Sequence, residues 1–265
     1  MRIFSSGGGV QSVAALILSA QGKINYPVHL FSNVGDDSEN PETLDYVKNI
    51  IVPFAKREGI QFEEVKWKKR DGSFESLRGR IYRTERSVPI PARMGHNGAP
   101  GNRTCTVDFK IKVIDRWIAE HDGKGKDVYV GLGITVDEIQ RARVDDWQTV
   151  RGFQKLKTYP LIDLGISRND CHEIIRDAGL PTPAKSSCYF CPFHTPAAWT
   201  RLRLNRPDLF DEACNIEKEI QRKRREVMGK DDVYLHPALV PLDVAVGHQM
   251  AFDELENCES GYCMT

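Results

Sequence analysis

The sequence predicts an α/β fold, a doubly wound parallel sheet. Short apolar runs at residues 1–4, 28–31, 61–65 and 128–130 alternate with longer stretches of helical periodicity, the pattern of successive βα units. Two of these runs, like the first, open into glycine-containing polar turns, as strand ends do at the ligand-binding edge of such a sheet. The chain has 265 residues, enough for one full α/β domain and a small appendage.

The first unit is the most informative. Arg2-Ile3-Phe4 leads into Ser5-Ser6-Gly7-Gly8-Gly9-Val10-Gln11-Ser12, and the apolar run Val13–Leu18 follows. That reads as strand, Ser/Gly-rich turn and helix. Glycines let backbone N–H groups point into one concavity, and the helix N-terminus adds partial positive charge. Together they suit a phosphate, with the Ser5, Ser6 and Ser12 hydroxyls as further donors. No Lys-Ser/Thr pair closes the loop and no G-x-G-x-x-G spacing occurs, which excludes the P-loop and dinucleotide fingerprints.

The first helix is expected over about residues 11–21. A second strand, 28–31, ends in Ser32-Asn33-Val34-Gly35-Asp36-Asp37, and Asn40 or Ser38 caps a helix running to about Glu58. A third strand covers 61–65. Periodicity is then lost from Trp67 to Asn102, a Gly-, Pro- and Arg-rich segment suited to phosphate or polynucleotide, or to a solvated flap. An amphipathic helix ends near His121. The strand at Val128–Val130 opens into Gly131-Leu132-Gly133-Ile134-Thr135-Val136-Asp137-Glu138, with Arg141 and Arg143 beyond. Asp137 and Glu138 can hold Mg²⁺ on a nucleotide and Arg141 can meet phosphate, or the carboxylates open an ordinary helix. Helices are expected over about 168–178, 196–205 and 207–228. The last carries Lys218 and Arg222–Arg225, a basic face toward solvent.

Formal net charge is zero, so no global field draws the chain to nucleic acid. No apolar run reaches membrane-spanning length and no export leader precedes the first strand, so the expected location is the cytoplasm. The seven cysteines then point to metal or redox chemistry rather than disulfides. Cys188-x-x-Cys191 can serve zinc, an iron–sulfur centre or a redox pair. Cys171 and Cys214 fall on predicted helices as buried thiols.

The opening loop resembles the PP-loop, Ser-Gly-Gly-x-Asp-Ser, of the adenine nucleotide α-hydrolase-like superfamily, which holds the pyrophosphate end of ATP. Gln11 stands where that pattern often has Asp, and an extra glycine precedes it. The Gly-Gly-Gly-Val-Gln-Ser form is similar to a variant in the phosphoadenosine-phosphosulfate (PAPS) reductase-like branch. That branch also carries a Gly-Ile-x-x-Asp-Glu…Arg element, matched by Gly133, Asp137, Glu138 and Arg141. The resemblance implies a HUP-type sheet, with ATP and Mg²⁺ held by Ser5, Ser6, Gly7, Gly8, Gly9, Gln11, Ser12, Gly133, Glu138 and Arg141, and adenine received at Asn33 and Gly35. Asp137 is the expected catalytic carboxylate.

Adenylylsulfate (APS) reductases of this group carry Cys-Cys and a distant Cys-x-x-Cys around a [4Fe–4S] cluster. Here Thr104 replaces one of the pair, leaving Cys105, Cys188 and Cys191 as metal ligands, with structural zinc the alternative. PAPS and APS reductases also place a nucleophilic Cys in a C-terminal Glu-Cys-Gly segment. Glu256-Asn257-Cys258-Glu259-Ser260-Gly261 resembles it, which makes Cys258 and Cys263 the expected catalytic thiols. The division expected is a nucleotide-binding domain over 1–165 and a cysteine-rich helical extension over 166–265. The activity implied is an ATP pyrophosphatase that adenylates an acceptor and supports sulfur transfer. The acceptor is a nucleic acid, DNA backbone (phosphorothioation) or tRNA, and the sulfur donor a protein such as a cysteine desulfurase. A homodimer is expected. The alternatives are a PAPS/APS reductase-type oxidoreductase and a non-catalytic nucleotide-binding partner.

Overall fold

Residues 2–6 alternate in the way a strand covered on both faces must. In the computed structural model, which describes residues 1–121, 123–143 and 146–247, Ile3 packs into one hydrophobic core and Phe4 into another. The chain runs β1 (Arg2–Ser6), α1 (Val10–Ala20), β2 (Val28–Asn33), α2 (Pro41–Tyr46), a π-helical turn (Val47–Ile51), α3 (Val52–Arg57) and β3 (Gln61–Lys66). After α4 (Leu77–Arg83), β4 (Arg93–Met94) and the short α5 (Thr104–Thr106) come a second π-helical turn (Val107–Ile111), α6 (Lys112–Glu120) and β5 (Asp127–Leu132). A 3₁₀ turn (Val136–Arg141), β6 (Gln148–Val150), β7 (Phe153–Thr158), α7 (Pro160–Asp163) and α8 (Arg168–Asp177) follow. The chain goes on through α9 (Pro196–Asn205), α10 (Pro207–Arg222), a third π-helical turn (Lys223–Val227) and β8 (Val233–Tyr234).

Two compact units interleave along the chain. The first comprises Met1–Glu75 and Thr106–Ser187, the second Ser76–Cys105 and the residues from Cys188 on. The cut expected near residue 165 is therefore replaced by several crossings.

The first unit is the doubly wound α/β fold that the sequence predicts. Its sheet has the order β3-β2-β1-β5-β7-β6. Every pairing is parallel except β6 with β7, a hairpin. Helices α1 and α8 cover one face with Leu16, Ile17, Cys171 and Ile175, joined by Phe4 and Phe31 of the strands. Helix α6 covers the other with Val113, Ile114, Trp117 and Ile118 against Ile3, Leu30, Val128 and Val130. A buried ion pair joins two elements of this unit: Lys155 Nζ on β7 meets Asp115 on α6 at 2.7 Å, with both side chains buried.

The second unit is organised by α10. Its inward stripe, Phe210, Ala213, Cys214, Glu217, Ile220 and Gln221, follows the i, i+3, i+4, i+7 rule. The two polar members use their side chains on backbone. Glu217 accepts the N–H groups of Leu235 and Leu242, each at 2.7 Å, and Gln221 donates to the Val233 carbonyl at 3.0 Å. The basic run expected to face solvent is corrected at one position. Lys223 is fully buried; its ammonium donates to the Ile81 carbonyl and lies 3.0 Å from Glu219. Arg222 pairs with Glu219 and Glu85. The segment read as lacking periodicity contains α4, whose N-cap Ser76 accepts from Gly79 N–H. Among the described residues, no helix is long and apolar enough to cross a membrane.

Candidate functional site

Strand β1 has β2 on one side and β5 on the other, so the strand order reverses there. In open α/β sheets such a switch point leaves a crevice at the carboxyl ends of the strands, and the loop Gly7–Gly9 begins at that end of β1. Helix α1 starts behind it with Gly9 as N-cap and no side-chain cap, so its first N–H groups have no acceptor of their own. Ser12 Oγ accepts the Gly7 N–H at 2.9 Å, which leaves the hydroxyl proton to be donated elsewhere.

The glycines are there for steric reasons. Gly8 has φ +72°, and a Cβ on it would stand 3.0 Å from Thr43 Cγ2 and 3.3 Å from Phe31. A Cβ on Gly9 would lie 2.6 Å from Ser186 Oγ. The loop's second wall is thus Ser186, a residue that no sequence motif singles out. Its neighbour Ser187 accepts the Asn40 N–H through its carbonyl at 3.2 Å. On the β5 side, a Cβ on Gly133 would approach Gln11 Cβ to 3.2 Å, so this glycine lets the loop after β5 close against the start of α1.

Among the described residues of this unit, four hydroxyls are buried with no hydrogen-bond partner: Ser32 near the end of β2, Thr43, Thr135 just past β5, and Ser187. Buried hydroxyls ordinarily find partners. Here they belong to segments that border the glycine loop or end the strands beside it.

The other expected residues have defined positions. Asn33 spends its side chain internally: Nδ2 donates to Asp36 and Glu64, at 2.7 and 2.9 Å, and Oδ1 accepts the Gly35 N–H at 2.7 Å. Gly35 has φ +129°, in the region that favours glycine. Lys66, bonded to Asp36 at 2.8 Å, holds that carboxyl below its ordinary range. Glu39 is buried and its pKa is raised by desolvation. Asp137 Oδ2 accepts the Arg168 N–H at 2.5 Å, tying the 3₁₀ turn to the first residue of α8. Glu138 pairs with Arg141 at 2.7 Å. Each carboxylate therefore has a structural partner.

In the second unit, Cys105 lies in α5 with its N–H bonded to the Pro89 carbonyl at 2.8 Å. Cys188 and Cys191 share one turn, in which Cys191 N–H donates to the Cys188 carbonyl at 3.1 Å and His194 Nε2 lies 3.0 Å from the same oxygen. All three cysteines are half-buried. Among the described residues, no group of three or more His, Cys, Asp or Glu is arranged to hold a metal ion. Burial pushes the Cys171 and Cys214 thiols up to about 12, which keeps them protonated and unreactive. Cys258 and Cys263 lie outside the described residues.

No family model and no curated protein matches this sequence. Solved structures similar to it include the following two. One is the phosphoadenylyl-sulfate (PAPS) reductase from Candida auris in a phosphate complex, 15% identical, with a TM-score of 0.43 over 69% of this chain and 74% of that one. The other is the U34-tRNA thiolase NcsA from Methanococcus maripaludis with its [4Fe–4S] cluster, 14% identical, with a TM-score of 0.44 over 84% of this chain and 71% of that one.

Proposed function

We propose that the loop from Ser5 to Ser12 binds the phosphate tail of ATP and that the chain is an ATP pyrophosphatase supporting sulfur transfer, with a nucleic acid as acceptor. The observation that carries the reading is the uncapped start of α1 behind a glycine-walled loop at the sheet's switch point. Backbone N–H groups and the helix dipole favour an anion there. The unpartnered hydroxyls of Thr43, Thr135 and Ser187 supply the further donors that a triphosphate needs.

In the proposed reaction an acceptor oxygen attacks the α-phosphorus, the α–β anhydride bond breaks, and pyrophosphate leaves. A sulfur at the hydrosulfide level then displaces AMP, taking the oxygen with the phosphate. The chain's contribution is to hold the leaving pyrophosphate on fixed donors, where charge develops. Cys105, Cys188 and Cys191 are the proposed sulfur-handling thiols. A persulfide passed to Cys188 or Cys191 from a donor protein such as a cysteine desulfurase is attacked by the other thiol of the pair, which releases hydrosulfide and leaves a Cys188–Cys191 disulfide for an external dithiol to reduce. The nucleotide loop belongs to the first unit and the three thiols to the second.

The test is pyrophosphate release from labelled ATP by anaerobically purified protein, with tRNA and duplex DNA as acceptors and sulfide as donor. Acceptor-dependent pyrophosphate is expected. Sulfite from PAPS or APS without pyrophosphate points instead to the reductase chemistry, and tight ATP binding without turnover to a nucleotide-binding partner. Iron, sulfide and zinc analysis of the same sample reads the metal content directly.

A further inference from the structure

Among the described residues, three buried donors in the second unit have no hydrogen-bond partner: Trp199 Nε1, Arg93 Nε and His236 Nε2, of which the last two belong to or adjoin one ribbon. Arg93, in β4, pairs with Tyr234 of β8 in the antiparallel ribbon. It is half-buried, its Nε–H is closed off with no hydrogen-bond partner, and no carboxylate among the described residues pairs with it. His236 lies two residues beyond Tyr234 and is 5% exposed. Its Nδ1 accepts the Ala238 N–H at 3.1 Å, so the ring proton belongs on Nε2. That Nε2 is also buried without a partner. The two groups act on each other: burial first, and the Arg93 charge second, lower the His236 pKa.

These groups cannot satisfy one another, because both present N–H donors. A guanidinium does not shed its proton to escape burial. A buried donor left unmade costs about 1–3 kcal/mol, and each such group calls for a partner such as an ion or a water. What is missing is an acceptor with several oxygens and negative charge.

The frame around the pair is rigid. The Glu217 carboxylate accepts the N–H groups of Leu235 and Leu242, clamping both ends of the segment that carries His236. Gly95 N–H bonds to the Asp232 carbonyl at 2.9 Å, and a Cβ on Gly95 would come equally close to that oxygen. The β4–β8 ribbon is thus held at a spacing that only glycine allows. Donors fixed in advance are what an anion site requires.

We propose that Arg93 and His236 form a binding site for a small tetrahedral oxyanion, phosphate or sulfate. The oxygens accept from Arg93 Nε–H and His236 Nε2–H. The site uses none of the residues of the nucleotide loop and stands whether or not the function proposed above holds.

The experiment is a titration of full-length, ¹⁵N-labelled protein with inorganic phosphate and with sulfate, against chloride at matched ionic strength. The signals followed are Arg93 Nε–H and His236 Nε2–H. A saturable downfield shift of both with phosphate or sulfate, absent with chloride, is expected. In Arg93→Gln the His236 midpoint should rise at least about tenfold, the loss of one charge-assisted bond. His236→Gln should weaken the Arg93 response likewise. No saturable shift, an equal response to chloride, or an unchanged midpoint in Arg93→Gln overturns the proposal and leaves water as the acceptor. If Arg93→Gln does not fold, the wild-type titration decides alone.

Discussion

Gly8 and Gly9 fail differently when given a side chain. At Gly8 the backbone is left-handed, at φ +72°, and the nearest atoms belong to packed groups, Thr43 and Phe31. Gly8→Ala is expected to lower stability by about 1–2 kcal/mol, read by urea unfolding, and to weaken ATP binding. At Gly9 the obstacle is one hydroxyl, Ser186 Oγ. Gly9→Ala should weaken ATP binding, read by calorimetry, and Ser186→Gly in the same chain should restore part of it. An unimproved double variant would separate Ser186 from the loop. Glu217 makes a prediction about pH. Burial raises its pKa from 4.5 to about 7, so between those values the folded protein keeps a proton that the unfolded chain releases. Its contribution to stability is full below about pH 4.5 and is lost as pH rises through 7, by of order 3 kcal/mol. Urea unfolding at pH 5 and pH 7.5 measures the slope, and Glu217→Gln should flatten it.

Between elements, the Lys155–Asp115 pair joins β7 to α6 inside the first unit. Removing one partner strands a buried charge, so Lys155→Met is expected to cost about 3–5 kcal/mol. Lys155→Met with Asp115→Leu should recover most of that loss, both read by urea unfolding. Asp137 works between elements too, through its bond to the N-terminus of α8. Loss of a bond of this kind costs about 1 kcal/mol. The start of α1 could be read from its apolar run alone, and the boundaries of α8 and α9 because apolar spacing and caps agree: Ser167 and Asp170 form a capping box and Thr195 caps α9. The β6–β7 hairpin could not. Its turn is Arg151-Gly152 with φ +47° and +86°, and an arginine gives no turn signal. Lys223 misled for a related reason. A run of charges reads as a wet face, and only the fold brings the Ile81 carbonyl and Glu219 to its ammonium. Ser186 belongs to no motif; a glycine's need for room names it only once the backbone is known.

At the scale of the molecule, the opening strand, glycine loop and helix were legible because they are consecutive, whereas the division into units was not. The first unit draws on residues up to Ser187 and leaves out Ser76–Cys105. A fragment of residues 1–165 lacks α8, whose Cys171 and Ile175 complete the core on α1. It is expected to show helical far-ultraviolet dichroism without dispersed methyl resonances, and a well-dispersed spectrum would show that α8 is dispensable.

The cover that α8 gives to α1 has a further consequence during synthesis. Leu16 and Ile17 leave the ribosome well before their partners on α8, which are encoded about 150 residues later. At about 5–20 residues per second, translation of that interval lasts roughly ten to thirty seconds. Throughout it, the nascent chain shows an oily stripe with nothing to lie against. The cell must shield that stripe until Arg168–Asp177 emerges, so yield should depend on chaperone supply more steeply than the finished protein's stability would suggest.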